Sequence, residues 1–227
     1  MFNQPDESDG GGQWMSVSDL MAALMLIFMF IAIMFIRTVV TEEATYREEC
    51  DKIYRVLQSE FEGDFDSWDV ELLEDLTIRF RNPEVLFESG ADQIRPHFIR
   101  ILESFIPRYF GAIQAPEYQE DVKEIRIEGH TSSVWTNAES TDDAYYNNMY
   151  LSQRRTQAIL RFILNLPQFD PYAPWAKKLI TANGLSSSHL ILDKNGREDQ
   201  IRSRRVEFRL MTTSCRKAGV YDNDNRY

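Results

Sequence analysis

The chain has 227 residues, the size of one domain plus an appendage, which excludes two full catalytic domains. Its 25 Lys+Arg against 36 Asp+Glu leave a formal net charge of −11, and so acidic a surface is not built to neutralise nucleic-acid phosphates. With 43% hydrophobic and 27% charged residues, a packed core is available and general disorder is excluded.

Residues 1–13 carry Asp6, Glu7 and Asp9 and no Lys or Arg, which does not suit a cleaved signal peptide. From Leu20 to Ile36 no side chain is polar. Counted from Trp14, the stretch is about 34 Å long as a helix, which matches a hydrocarbon core of about 30 Å. The sequence therefore predicts a tail over 1–13 and an uncleaved transmembrane helix over 14–37. One carboxylate, Asp19, stands inside it, and Ala22 and Ala23, one turn on, are small enough for a second helix to approach closely. Two readings of Asp19 stay open. Ser16 is the N-cap and Asp19 sits at N3, against the positive end of the helix dipole. Or Asp19 takes up and releases an ion within a multi-helix assembly, because burial favours the neutral carboxyl and a change of surroundings reverses that preference. The nearest basic residue, Arg37, would by a bare count of positive charge place the following residues in the cytoplasm. A large domain translocates largely regardless of charge, so the nature of that domain decides the orientation.

Ile53, Val56, Leu57 and Phe61 recur at helical spacing and predict a solvated spacer helix within 38–75, broken by Gly63 and the acids Asp64, Asp66 and Asp69. Leu76–Phe80 alternates as a half-buried strand and stops at Asn82-Pro83. Ile94–Phe110 carries a one-sided apolar face, Glu124–Gly129 reads as a strand, and Leu151–Leu166 is an amphipathic helix stopped by Pro167. Strands at Leu179–Ala182 and Arg205–Leu210 follow. The alternation predicts an α+β chain: a single N-terminal transmembrane helix, a spacer helix, an α/β sandwich over 76–212 and a tail over 213–227.

Cys50 and Cys215 are too few for a disulfide framework and share no ligand spacing with His97, His130 or His189, so no metal site is predicted. The two either pair, with each other or across a dimer, or remain buried thiols. There is no activated nucleophile, no acid pair of defensible spacing and no Gly-rich phosphate loop, and Asn195-Gly196 is a turn signal. The sequence points away from an enzyme and to no cofactor.

Ser18-Asp19-Leu20-Met21-Ala22-Ala23-Leu24-Met25, followed by an aromatic-rich apolar run, resembles the transmembrane helix of the MotB family, the B subunits of ion-driven rotary stators. The resemblance implies that Asp19 is the ion-carrying residue and that the ion is a proton. Four further blocks, Leu86–Ala91, Ile127–Thr131, Asn148–Arg155 and Ser203–Glu207, resemble in the same order the OmpA-like peptidoglycan-binding domain. In that family the ligand is the diaminopimelate zwitterion of the stem peptide. The resemblance implies that Arg155 holds its carboxylate, a task suited to a planar guanidinium fork, with Asn148, Leu151 and Ser152 beside it. Read without the family, Arg155 is an exposed helix charge.

The chain departs from the family at Ser132, where an Asp usually meets the ligand's ammonium and a hydroxyl brings no charge. Either Asp142 or Asp143, in a loop longer than the family's, stands as a substitute, or wall binding is weaker or altered. His130 receives no catalytic role, and Arg204 and Arg205 either line the pocket mouth or are exposed strand charges. ExbD- and TolR-like proteins share the Asp-bearing helix without this domain, and Pal-like lipoproteins lack the helix; the stator B type combines both. The acidic start, Ser18-Asp19 and Ser132 together resemble the stator-like subunits of Zorya antiphage systems more than flagellar ones, with two alternatives left open: a flagellar-type stator subunit, and a passive tether from inner membrane to cell wall in which Asp19 only caps the helix. What this implies is a homodimer within a ring, five in number, of multi-pass A subunits. The N-terminus would be cytoplasmic and the domain periplasmic, bound to peptidoglycan, with no direct contact to nucleic acid and with phage attack as the trigger. The family's linker carries a plug that blocks ion flow, but nothing in residues 38–75 marks one.

Overall fold

The structure is a computed structural model that describes residues 10–81, 86–88 and 90–221, with side chains from residue 17 onward. Residues 1–9 of the predicted tail, the Asn82-Pro83 stop, Ser89 and residues 222–227 lie outside the described residues, as do the side chains of Trp14 and Ser16. The chain divides into two compact units, the first reaching to Thr45 and the second beginning at Tyr46.

Helix α1 spans Gly10–Phe61. Its first part is the one helix among the described residues that is long and apolar enough to cross a membrane. Side chains such as Leu20 (71% exposed) and Phe35 (69%) stand out from it on all sides, a surface suited to lipid and not to water. Because the helix begins at Gly10, Asp19 lies in its third turn, exposed. The attraction of a helix start for a carboxylate fades within the first turn. The reading of Ser16 as N-cap and Asp19 at N3 is thereby corrected.

Along the second unit follow α2 (Phe65–Trp68), β1 (Val70–Leu72), β2 (Thr77–Arg81), α3 (Pro96–Ile113), β3 (Val122–His130) and α4 (Thr141–Leu164). After a 3-10 turn at Pro167–Phe169 come α5 (Ala173–Ala176), β4 (Ile180–Gly184), α6 (Gln200–Ser203), β5 (Arg205–Thr212) and α7 (Thr213–Lys217). The strands form one sheet in the order β1-β2-β5-β3-β4. Among the described residues only β3 and β4 run parallel, and a parallel pair needs a crossover connection, which α4 provides. Strand alternation sorts the two faces. Ile78, Phe80, Ile125, Ile127, Phe208 and Leu210 are buried on one face, while Arg79, Glu128 and Glu207 meet across the other.

Helix α3 starts on Pro96, whose fixed φ suits a first turn, and lays Phe98, Leu102 and Phe105 on the apolar face. Phe105 stands 5.2 Å from Phe80 and 5.0 Å from Phe208, edge to face. Burying each such ring contributes about 1.5–3 kcal/mol.

The spacer predicted over 38–75 is not a separate element. From Tyr46 on, α1 belongs to the second unit, where Cys50, Ile53, Leu57 and Phe61 are at most 2% exposed. Arg108 of α3 clamps its end, donating to Glu60 Oε1 at 2.6 Å and Asp64 Oδ2 at 2.7 Å with its guanidinium 4.8 Å over Phe61. The apolar spacing was a core stripe. For the same reason the unit begins well before residue 76 and takes in β1. The predicted tail starts with α7, which places Cys215 in the core, bonded to Cys50. Of the two cysteine readings, the structure has the intramolecular pair and not two thiols.

Candidate functional site

Two glycines set α4 against the sheet. A Cβ on Gly184 would come within 2.3 Å of Gln153 N and 2.6 Å of its Cα, and one on Gly129 within 2.8 Å of Thr156 Cγ2. Glycine at both positions allows helix backbone and strand to touch. Hydrogen bonds fix the contact: Gly184 N donates to Gln153 Oε1 at 2.8 Å, Gln153 Nε2 to Ala182 O at 3.3 Å, and Ser186 N to Ser152 Oγ at 3.1 Å. At the helix start, Asp143 N donates to the Ser140 side chain at 3.1 Å, an N-cap. The helix begins well before the predicted Leu151 because its first half faces a cleft and needs no apolar stripe.

This placement turns Asn148, Leu151 and Arg155, three and four residues apart and so on one helical stripe, into a cleft of about 270 Å³. Ser132 from the loop after β3 lines it too, so the four predicted ligand-binding residues converge. Trp135 and Arg204 are further lining residues. The loop holding Trp135 stands out in the sequence for its length and for Asp142 and Asp143; the signal for Trp135 was an aromatic in the loop that follows the Gly129-His130-Thr131 strand end.

Arg155 is oriented by loop carbonyls. Its Nε donates to Ala91 O at 2.9 Å and its Nη2 to Glu88 O at 3.3 Å, and its guanidinium lies 4.9 Å over the Phe87 ring. It is therefore a fixed charge in the cleft wall and not a mobile surface arginine. Asn148, 3% exposed, donates to Val134 O at 3.4 Å and steadies the opposite loop.

Asp142 and Asp143 do not replace the missing family acid. Neither lines the cleft. Both stand in the first turn of α4, Asp142 exposed and Asp143 half-buried, and Asp143 accepts from Glu139 N at 3.2 Å and Asn147 Nδ2 at 2.9 Å, where a carboxylate complements the helix dipole. The acid beside Ser132 is Glu198, which sequence reasoning missed. Its Oε1 accepts from Ser133 N at 2.9 Å and its Oε2 from the Ser133 hydroxyl.

Arg204 and Arg205 part company: Arg204 lines the cleft, while Arg205 is 2% exposed, which corrects its reading as an exposed strand charge. Arg205 Nε donates to Glu207 Oε1 at 2.6 Å and its Nη1 to His189 O at 3.1 Å. Arg79 Nε reaches the same Glu207 oxygen at 2.7 Å. His130 Nε2 stands 3.4 Å from Glu207 Oε2 and 3.8 Å from Glu128 Oε2. Burial alone would raise the Glu207 carboxyl, but His130, then Arg205 and Arg79, hold it well below the usual carboxylate range.

Glu128, His130 and Glu207 thus bring donor atoms within 4.8 Å of one another in a buried place, a set whose residue types suit a metal ion. With Arg205 and Arg79 already against Glu207, a dication there would face two guanidinium charges, and the group closes as an ion network under the sheet end that carries Ser132. Sequence spacing did not reveal it, because Glu207 joins through the register of β5 on β3.

No family model matches the chain. It is 41% identical over 218 residues to Zorya protein ZorB of Escherichia coli strain Crooks, with 92% of each chain covered. Among solved structures, a MotB-like protein from Desulfovibrio vulgaris is similar with a TM-score of 0.54 at 23% identity, over 75% of this chain and 98% of that one. The cell wall anchor of the T6SS from Pseudomonas aeruginosa gives a TM-score of 0.46 at 19% identity, over 69% and 96%. The MotB-like structure confirms the fold, and the sequence identity along nearly the whole length settles the family: the chain belongs to the ZorB family of Zorya proteins.

Proposed function

We propose that the chain is the wall-anchored B subunit of a proton-driven stator in an antiphage defence complex. One observation carries this: a single chain joins a membrane-type helix with one carboxylate in its apolar stretch to a domain whose four family-matched cleft residues converge. In this reading two copies pair within a ring of five multi-pass A subunits, with Ala22 and Ala23 admitting close helix approach. An ionised Asp at the bilayer centre costs roughly 2.5–3.5 kcal/mol, less near an end. Protonation of Asp19 removes that cost and ionisation restores it. Alternating the two favours successive ring positions. The role is binding and force transmission, not catalysis, and it uses no cofactor beyond the translocated ion.

Torque needs a fixed point, and the cleft supplies it by holding the stem-peptide diaminopimelate of peptidoglycan, its carboxylate against Arg155. The Cys50–Cys215 bond supports a domain in an oxidising compartment, hence a periplasmic domain and a cytoplasmic N-terminus, against the weak opposite vote of Arg37. Phage perturbation of the envelope is the trigger.

Co-sedimentation of the full chain, in detergent, with purified peptidoglycan sacculi tests the anchor. Wild type pellets with the sacculi and is released by soluble stem peptide, while Arg155→Ala pellets about tenfold less, the loss of a charge-assisted fork. Undiminished pelleting of a folded Arg155→Ala chain, its disulfide intact, would sink the wall-anchor reading.

A further inference from the structure

We propose that the Cys50–Cys215 bond is a load-bearing strap: it passes tension arriving along α1 into the central strand of the sheet and keeps the helix from being peeled off its domain. The inference rests on the force-transmission reading above. From Val17 to Phe61 helix α1 contains no Gly or Pro, so nothing in its sequence interrupts a pull along it. In that reading the load leaves the domain at the cleft, whose residues Ser132, Asn148, Leu151 and Arg155 all lie between Cys50 and Cys215 in the chain.

The bond therefore closes a covalent ring that contains the cleft residues. Tension entering at Cys50 reaches Arg155 by two arms, one through residues 51–154 and the other across the disulfide and back through residues 214–156. Without the bond the first arm carries everything. It begins with Ile53, Leu57 and Phe61, buried side chains that a helix pulled from its N-terminal side gives up one turn at a time. The second arm begins in the sheet. Cys215 lies three residues after β5, and β5 is paired with β2 on one side and with β3 on the other. A strand held on both sides leaves only when two ladders break together.

The junction is reinforced where the two meet. Cys215 N donates to Thr212 Oγ1 at 3.1 Å, capping α7 on the end of β5. Arg47 Nη2 donates to Ala218 O at 3.3 Å and Lys217 Nζ to Tyr46 Oη at 2.7 Å. Water competes for these outer contacts but not for the bond. Thiol exchange requires a thiolate to reach a sulfur, and Cys50 is 2% and Cys215 0% exposed, so the strap stays closed while the domain is folded. Resistance to pulling is governed by an unfolding rate, which makes this role separable from the bond's contribution to folding free energy.

The full chain in detergent is pulled in an optical trap between its N-terminus and a linker coupled to an azido residue at position 157, exposed on α4. The Cys50→Ser/Cys215→Ser chain shows an early step of about 20 Å, as residues 50–61 pass from about 1.5 to about 3.4 Å each. The oxidised wild type lacks that step, and its lifetime at constant force is about tenfold longer or more. Wild type reduced with a phosphine is pulled in parallel and behaves as the Ser pair, so the comparison does not depend on how that variant folds. In cells with the complete system, the Ser pair copurifies with its ring partner and pellets with sacculi as wild type does, yet phage plates as on cells without the system. The same first step and lifetime in oxidised and reduced chains overturn the strap. Full protection by the Ser pair overturns its role under load and leaves the stator reading standing. A wild-type chain that does not pellet with sacculi overturns the wall anchor, and the load role with it, whatever the trap shows.

Discussion

Cys50 on α1 and Cys215 on α7, 165 positions apart, are joined with their Cα atoms 5.0 Å apart. Both are buried, and the contacts around them repeat the same tie: Ser214 Oγ donates to Glu49 Oε2 at 2.8 Å, and Lys217 Nζ lies 4.3 Å from the Tyr46 ring centroid. The bond fastens the C-terminal part of α1 into the core of the second unit. Replacing both cysteines by Ser lowers its unfolding free energy by about 2–5 kcal/mol, read by denaturant titration of the full chain in detergent with tryptophan fluorescence. A change under about 1 kcal/mol would show that core packing of Ile53, Leu57 and Phe61 is sufficient without the bond.

Gly184→Ala drives a methyl into the backbone of Gln153 and is expected to destabilise by about 1–3 kcal/mol, as overpacking does. It also weakens sacculus binding, because α4 carries Asn148, Leu151 and Arg155. Gly63→Ala is the control, since a Cβ there meets nothing within 4 Å, and its melting temperature stays at the wild-type value. Equal behaviour of the two variants contradicts the close helix–strand contact.

The buried Glu207 gives stability a definite sign with pH. Its folded pKa is held below the ordinary value of 4.5, so its contribution is fully present above about 4.5 and is lost as pH falls through the lower folded value. Thermal melting from pH 7 to pH 3 therefore steepens below about 4.5 in wild type. Glu207→Gln leaves Arg205 and Arg79 facing a neutral partner and costs about 3–5 kcal/mol near neutrality, with a flatter acid limb. An acid limb of wild-type steepness in that variant would assign the effect to other carboxylates.

What was legible in the sequence follows from what sequence patterns encode. The strands at Thr77–Arg81, Val122–His130 and Arg205–Thr212 were visible because one face is apolar and the other charged. The membrane helix was visible because nothing polar interrupts it after Asp19. An amphipathic stripe, by contrast, records that a face is covered and not by what, so Ile53, Leu57 and Phe61 looked like a spacer and turned out to be core. That Arg155, Asn148, Leu151 and Ser132 line one cleft was foreseeable from short local blocks that share one helix or one strand end. Glu198 and Glu207 were not, because their places depend on a loop closing back on Ser133 and on the register of β5 against β3, neither of which any local spacing reports.

The central claim is that Asp19 works by gaining and losing a proton in the membrane helix of a wall-anchored stator. The direct test is phage plating efficiency in cells that carry the complete system with Asp19→Asn, alongside copurification of the subunit with its ring partner. Asn is close in shape and polar but cannot ionise, and α1 begins at Gly10, so no helix cap is lost. The account predicts plating as on cells without the system, with the ring complex still assembled. Full protection by an assembled Asp19→Asn complex would contradict it, leaving the chain a tether between membrane and wall.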